Sequence, residues 1–147
     1  MKEYAKYELQ LIKKEVMRTN EKYFAHDPDS IYRYLIDVCS MDVLTKEHFI
    51  AAALSAKGEI IGHSVISIGD LSSSIVHPRE VYQFAIMMNA ASIIIAHNHP
   101  SGDPEPSEED IRVTERLREC GEILGIKCVD HIVIGDDAYR SFMMMNL

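Results

Sequence analysis

The chain has no tryptophan, only three cysteines and, for all its apolar content, no hydrophobic run of membrane-spanning length. Cys39, Cys120 and Cys128 are an odd number without a close metal-type pair, which excludes a disulfide framework and a zinc ribbon and points to a reducing compartment. A basic surplus is also missing. Fifteen basic residues stand against twenty-three acidic ones, a net charge of −8, the wrong sign for a domain that grips duplex phosphates. Lys2, Lys6, Lys13, Lys14, Arg18 and Lys22 are interleaved with Glu3, Glu8, Glu15 and Glu21, the pattern of a solvated helix face. The opening Met1-Lys2-Glu3-Tyr4-Ala5-Lys6 has no apolar core of the signal-peptide kind, so a cytoplasmic protein with no membrane partner is expected.

What is present is a chain of 147 residues with 47% hydrophobic and 26% charged residues, enough for one domain with a usable core. Within it stands His97-Asn98-His99, then Ser107 and Asp110, a spacing of His-x-His-x7-Ser-x2-Asp. In extended backbone, residues two apart point to the same side, roughly 6.6 Å apart along the chain, so the two imidazoles can converge on one ion. Two imidazoles and a carboxylate leave a position open for water, as catalytic zinc sites require. The same set would also serve non-haem iron, which the spacing alone does not exclude.

Pro100, Pro104 and Pro106 make the stretch after the histidines a rigid loop that delivers the next helix. Ser107 is a good N-cap, and Glu108, Glu109 and Asp110 sit at the helix's positive end. A capping box is one reading of Ser-x-x-Asp. Metal ligation is the other, because Asp110, Val113, Leu117, Cys120 and Leu124 share a helical face expected to pack inward, where a lone carboxylate needs a cation. On that face Cys120 reads as a packing residue rather than a nucleophile. Ile93-Ile94-Ile95-Ala96 reads as a buried strand ending at the histidine pair, while His26, His48, His63, His77 and His131 gain no metal role from spacing.

Elsewhere the periodicity predicts a helix marked by Ala5, Leu9, Ile12 and Val16, and a second one opened by Asp27-Pro28 with Ile31, Leu35 and Val38 inward. Strands are expected over 48–54 and 59–68, joined at Ala56-Lys57-Gly58, and a short one over 71–76. A helix from Pro78 to about Asn89 precedes the histidine strand; Gly125 stops the Ser107 helix, Lys127 to Ile134 follows as a strand, and a last short one lies within Tyr139 to Met143. The sum is an α/β (α+β) fold with a mixed, largely antiparallel β-sheet flanked by helices. It divides into an N-terminal helical segment, 1–44, packed on a metal-binding domain, 45–147. Met143-Met144-Met145 forms a small apolar patch, docked or open to self-association.

The block His97-Asn98-His99-Pro100-Ser101-Gly102, with Pro106-Ser107, Asp110, the later Asp130-His131 and Gly135, and His77-Pro78-Arg79-Glu80 upstream, resembles the RadC-like branch of the JAB/MPN proteins, which carry the JAMM metalloprotease motif. The likeness runs from about Glu47 to Phe142 and implies a JAB/MPN-like, cytidine-deaminase-like architecture. It also implies one zinc ion per chain on His97, His99 and Asp110, with Ser107 stabilising an oxyanion and an upstream glutamate as general base. Glu47, opening the run Glu47 to Leu54, is the match for that base. Glu80 is its rival but has a structural reason to sit early in a helix, and Glu59 reads as a solvated charge after a turn.

The implied activity is hydrolysis of a peptide or isopeptide bond by metal-activated water, on a peptide or protein substrate. Two other classes compete with it: a DNA repair or recombination accessory protein, and a non-catalytic scaffold of the kind many MPN domains form. Larger RadC-like proteins carry a further N-terminal segment of helix-hairpin-helix character, for which the residues before Glu47 are too few. Substrate choice would rest on loops such as Ser72-Ser73-Ser74 and the Asp103-Pro104-Glu105 rim.

Overall fold

Asp27 and Pro28 start the first helix as their types suggest. The Asp27 carboxylate accepts from the Asp29 N–H at 3.0 Å, and Pro28 fills the first turn of α1 (Pro28–Asp37). The computed structural model describes residues 1–69 and 76–147. After α1 the chain runs β1 (His48–Leu54), β2 (Ile60–Ile68), α2 (Pro78–Met87), β3 (Ser92–Asn98), α3 (Glu108–Leu124), β4 (Lys127–Ile134) and β5 (Tyr139–Ser141).

The five strands form one sheet in the order β2-β1-β3-β4-β5. β1 pairs antiparallel with both β2 and β3, β4 pairs antiparallel with β5, and β3 pairs parallel with β4 through the α3 crossover. A parallel pair needs such a crossover. The architecture is therefore the expected α+β fold with a mixed, largely antiparallel sheet, and its helices lie on both faces.

Alternation along the strands builds two cores. Ile50, Ala52, Leu54, Ile94, Ala96, Ile132 and Ile134 face α1, meeting Ile31, Tyr34 and Leu35. Phe49, Ala51, Ile93, Ile95 and Cys128 face the other way, onto Val81, Tyr82 and Ala85 of α2 and Leu117 of α3. β1 and β3 are buried on both sides, so they read as continuous apolar runs, with each fully buried isoleucine contributing about 1.5–3 kcal/mol. Burial holds Cys39 and Cys128 as thiols, each pushed up to about 12, which suits packing and not nucleophilic work.

Three expectations are corrected or displaced. No helix forms around Ala5, Leu9, Ile12 and Val16; residues 1–22 are exposed throughout, and Ile12 and Val16 meet no core. A helix of that length is marginal unless its apolar face is buried. In α3 the buried residues are Asp110, Thr114, Leu117 and Gly121, whereas Leu124 is exposed and Val113 and Cys120 are only partly covered. The face turns towards the small residues because α3 sits close to its neighbours: a Cβ on Gly121 would stand 2.5 Å from the Ile126 carbonyl oxygen and 2.6 Å from the Tyr82 hydroxyl. The strand expected over 71–76 and the Ser72-Ser73-Ser74 loop fall largely on 70–75, outside the described residues. Among the described residues no helix is long and apolar enough to cross a membrane.

Candidate metal centre

β3 and α3 bring the motif together. His97 stands opposite Phe49 of β1 and Val133 of β4, at the carboxyl end of the central strand. His99 is just beyond it, held by its own N–H to the Ile134 carbonyl at 2.8 Å. The two Nε2 atoms are 2.9 Å apart. Asp110, in the first turn of α3, sets one carboxylate oxygen 3.2 Å from each of them, Oδ1 towards His97 and Oδ2 towards His99. Glu47, immediately before β1, lies 3.9 Å from both nitrogens through Oε1. Its rival Glu80 is exposed in the first turn of α2, and Glu59 is a surface partner of Lys22 at 3.9 Å.

Ser107 and Asp110 form a complete capping box. The Ser107 hydroxyl accepts from the Asp110 N–H at 3.1 Å, and the Ser107 N–H donates to Asp110 Oδ2 at 2.8 Å. The cap and the site thus share one carboxylate: Oδ2 is anchored by the backbone, while Oδ1 is buried and accepts no hydrogen bond among the described residues. Burial would raise the Asp110 pKa, but His97, His99 and the Ser107 N–H outweigh it and hold the group far below the usual carboxylate range.

The protons on the imidazoles follow from their outer partners. His99 Nδ1 donates to the Asp103 carbonyl at 2.7 Å, because a carbonyl only accepts, so in the neutral ring the lone pair lies on Nε2. For His97 the argument runs through His131 and Thr114. The Thr114 hydroxyl gives its one proton to the Asp110 carbonyl at 2.7 Å, which leaves its oxygen to accept from His131 Nδ1 at 2.6 Å. His131 is fully buried and its pKa is pushed well below the ordinary value, first by burial and then by the neighbouring His97, so it carries one proton only. Its Nε2 accepts, therefore, from His97 Nδ1 at 2.7 Å. With both rings neutral, the two Nε2 lone pairs face inward.

Two lone pairs 2.9 Å apart beside two carboxylates call for a positive charge. A proton partly answers: the hydrogen bond to Asp110 raises the His99 pKa against the opposing effect of burial. A divalent ion fits better. Donors at 2.0–2.1 Å from one tetrahedral ion stand roughly 3.4 Å apart, close to the 2.9 and 3.2 Å separations among His97, His99 and Asp110. Among the described residues, Glu47, His97 and His99 also place one ligand atom each within 4.8 Å of one another, so Glu47 stands within reach of the same centre.

Two glycines let the loop between β3 and α3 pack closely. Gly102 adopts φ +90°, and a Cβ there would lie 2.3 Å from the Asp136 carboxylate. Gly135 admits the Gly102 carbonyl, which a Cβ would meet at 2.3 Å. This packing aims the Asp103 carbonyl at His99. Beside the site a shallow cavity of about 380 Å³ is lined by Lys46, Glu47, Gly69, His99, Pro100 and Ser101. Of the residues that matter here, spacing missed His131 and Thr114; the one available signal was an Asp130-His131 pair inside an apolar strand.

A mixed sheet with helices on both faces, a His-x-His pair at the carboxyl end of a central strand and a Ser-x-x-Asp cap after it make a JAB/MPN-type domain. The family profile described as the RadC-like JAB domain matches residues 25–147, and the chain belongs to that family. It is 50% identical over 122 residues to a UPF0758 protein of Geobacillus sp. (strain WCH70), covering 83% of this chain and 53% of that protein. A UPF0758 protein of Clostridioides difficile (strain 630) is 54% identical over 121 residues, covering 82% and 51%. The chain spans about half the length of the curated relatives it matches.

Proposed function

We propose that this domain is a zinc-dependent hydrolase of the JAMM type that cleaves a peptide or isopeptide bond. The observation that carries the reading is the pair of inward-facing Nε2 atoms, 2.9 Å apart on rings whose Nδ1 atoms are engaged behind them, with Asp110 Oδ1 beside them and without a hydrogen bond among the described residues. His97, His99 and Asp110 would hold the ion. Bound there, zinc would supply Lewis-acid polarisation and bring the pKa of a water towards about 7.

The chain's own groups do the rest. Glu47 takes the proton of the attacking water, whose oxygen bonds to the substrate carbonyl carbon, and returns that proton to the nitrogen as the C–N bond breaks. The Ser107 hydroxyl uses its oxygen as the helix cap, which leaves its hydrogen for the developing oxyanion. The open cavity along Glu47, Gly69 and Ser101 would admit an extended chain to that point.

Metal analysis of the purified protein, joined to a screen of peptide and isopeptide substrates, tests the reading. One zinc per chain is expected, with cleavage that Glu47→Gln abolishes while keeping its metal. A protein that retains no zinc, or a Glu47→Gln variant of full activity, would overturn the corresponding assignment.

A further inference from the structure

Asn98, the middle residue of the His-x-His pair, belongs to the other side of β3, in the series Ile94, Ala96, Asn98 that faces away from the histidines. It is buried, and its carboxamide reaches across to the chain that carries Glu47. Oδ1 accepts from the His48 N–H at 2.7 Å, and Nδ2 donates to the Lys46 carbonyl at 3.0 Å. Because an N–H only donates and a carbonyl only accepts, the orientation of the amide is unambiguous.

We infer that Asn98 is a positioning residue that fixes Glu47 against the histidine pair by clamping the peptide units on both sides of it. The inference rests on the proposed role of Glu47 at the metal. The ladder between β1 and β3 ends at the Phe49 and His97 pair. One residue further on, the Asn98 side chain supplies the next rung in place of backbone, with one donor and one acceptor. From the opposite side the Gly69 N–H donates to the Glu47 carbonyl at 2.8 Å. The residue that would act as base lies outside regular structure, and these three bonds hold it where β1 alone would let it fray. A three-residue motif thereby supplies two ion-facing imidazoles and the clamp for the third partner.

Asparagine suits this place because both ends of a short planar amide are used. Aspartate has nearly the same shape but no donor, and it would set a carboxylate oxygen against the Lys46 carbonyl. Alanine removes both bonds. Neither change touches His97, His99 or Asp110.

Cobalt(II) provides the test, since its visible spectrum reports the surroundings of the ion without any substrate. Wild type, Glu47→Gln, Asn98→Ala, Asn98→Asp and the Asn98→Ala/Glu47→Gln double variant are loaded, and spectrum, cobalt affinity and exchange of the His48 amide are measured. Both Asn98 variants are expected to lose His48 protection and to keep cobalt affinity within about 5-fold, less than the 10–100-fold typical of a lost ligand-orienting partner. Their spectra should move in the direction set by Glu47→Gln, and the double variant should match Glu47→Gln alone. If Asn98→Asp, the variant closest in shape, keeps the wild-type spectrum while Glu47→Gln departs from it, Asn98 does not position Glu47. An additive change in the double variant overturns the inference equally. A wild-type protein that takes up no cobalt, or a Glu47→Gln spectrum identical to wild type, removes the reading of the site itself and this inference with it.

Discussion

His97 Nδ1 and His131 Nε2 lie 2.7 Å apart on the sheet face that packs against α2 and α3. Through Thr114 this contact connects the His97 imidazole to the carbonyl of Asp110. A histidine that spacing left without a role thus decides which nitrogen of His97 is bare. Replacing it should be felt as metal affinity. His131→Phe, which can keep the stacking on Phe142, should weaken zinc binding about 10–100-fold. Thr114→Val should cost about 1–3 kcal/mol of stability by leaving the buried His131 N–H without an acceptor. Chelator competition and thermal unfolding check both; two variants that hold zinc as tightly as wild type would break the relay argument.

Asp110 caps α3 through Oδ2 and in the proposed site would also face the ion, and the two roles can be separated. Asp110→Asn keeps a carbonyl oxygen for the Ser107 N–H while removing the negative charge beside the two Nε2 atoms. Helix α3 should therefore form normally in this variant, and zinc should be lost. Wild type loaded at 100 times its Kd gains about 2.7 kcal/mol over the stripped protein. Asp110→Asn should show no Tm difference between loaded and chelator-treated samples. Equal zinc content in the two proteins would remove Asp110 from the ligand set.

Much of this arrangement was legible in the residues, and the parts that were not share a cause. Runs such as Ile93-Ile94-Ile95 announce buried strands, and Pro28, Ser107 and Gly125 mark helix ends through local chemistry that needs no partner. His131 depends on the parallel register that sets it opposite Ile95, a relation between strands joined only through α3. Asn98 depends likewise on where β1 begins. Around Ala5, Leu9, Ile12 and Val16 the pattern describes a face that could be buried, and residues 1–22 lie exposed instead. Thr114 and Gly121 outrank Val113 and Leu124 inside α3 because closeness, not hydrophobicity, decides that contact.

Ser107 offers a separation of cap from chemistry. Ser107→Ala removes the acceptor for the Asp110 N–H and should cost about 1 kcal/mol of stability. If its hydrogen also serves the oxyanion, kcat should fall about 10²–10³-fold with little change in KM, since that charge exists only in the transition state. Ser107→Asp restores a good N-cap but has no hydroxyl donor. Its stability should return towards wild type while its rate stays low; recovery of both would assign Ser107 to capping alone.

Gly135 tests whether the proline loop orients His99. A Cβ at this position would lie 2.3 Å from the Gly102 carbonyl oxygen and 2.8 Å from Pro104 Cδ, atoms of backbone and ring that cannot rotate away. Asp103 sits between Gly102 and Pro104, and its carbonyl accepts the hydrogen bond from His99 Nδ1. Gly135→Ala should therefore cost about 1–3 kcal/mol by overpacking and also weaken zinc binding, because His99 loses its aim while the His97 relay stays intact. Gly58→Ala is the control. Its φ of +80° makes alanine unfavourable by about 1–2 kcal/mol, but among the described residues nothing lies within 4 Å of the added carbon, and the turn is not among the residues lining the cavity. Comparable loss of stability in the two variants, with zinc affinity reduced only in Gly135→Ala, is the expected result. Equal zinc affinity would mean that His99 keeps its orientation without the loop.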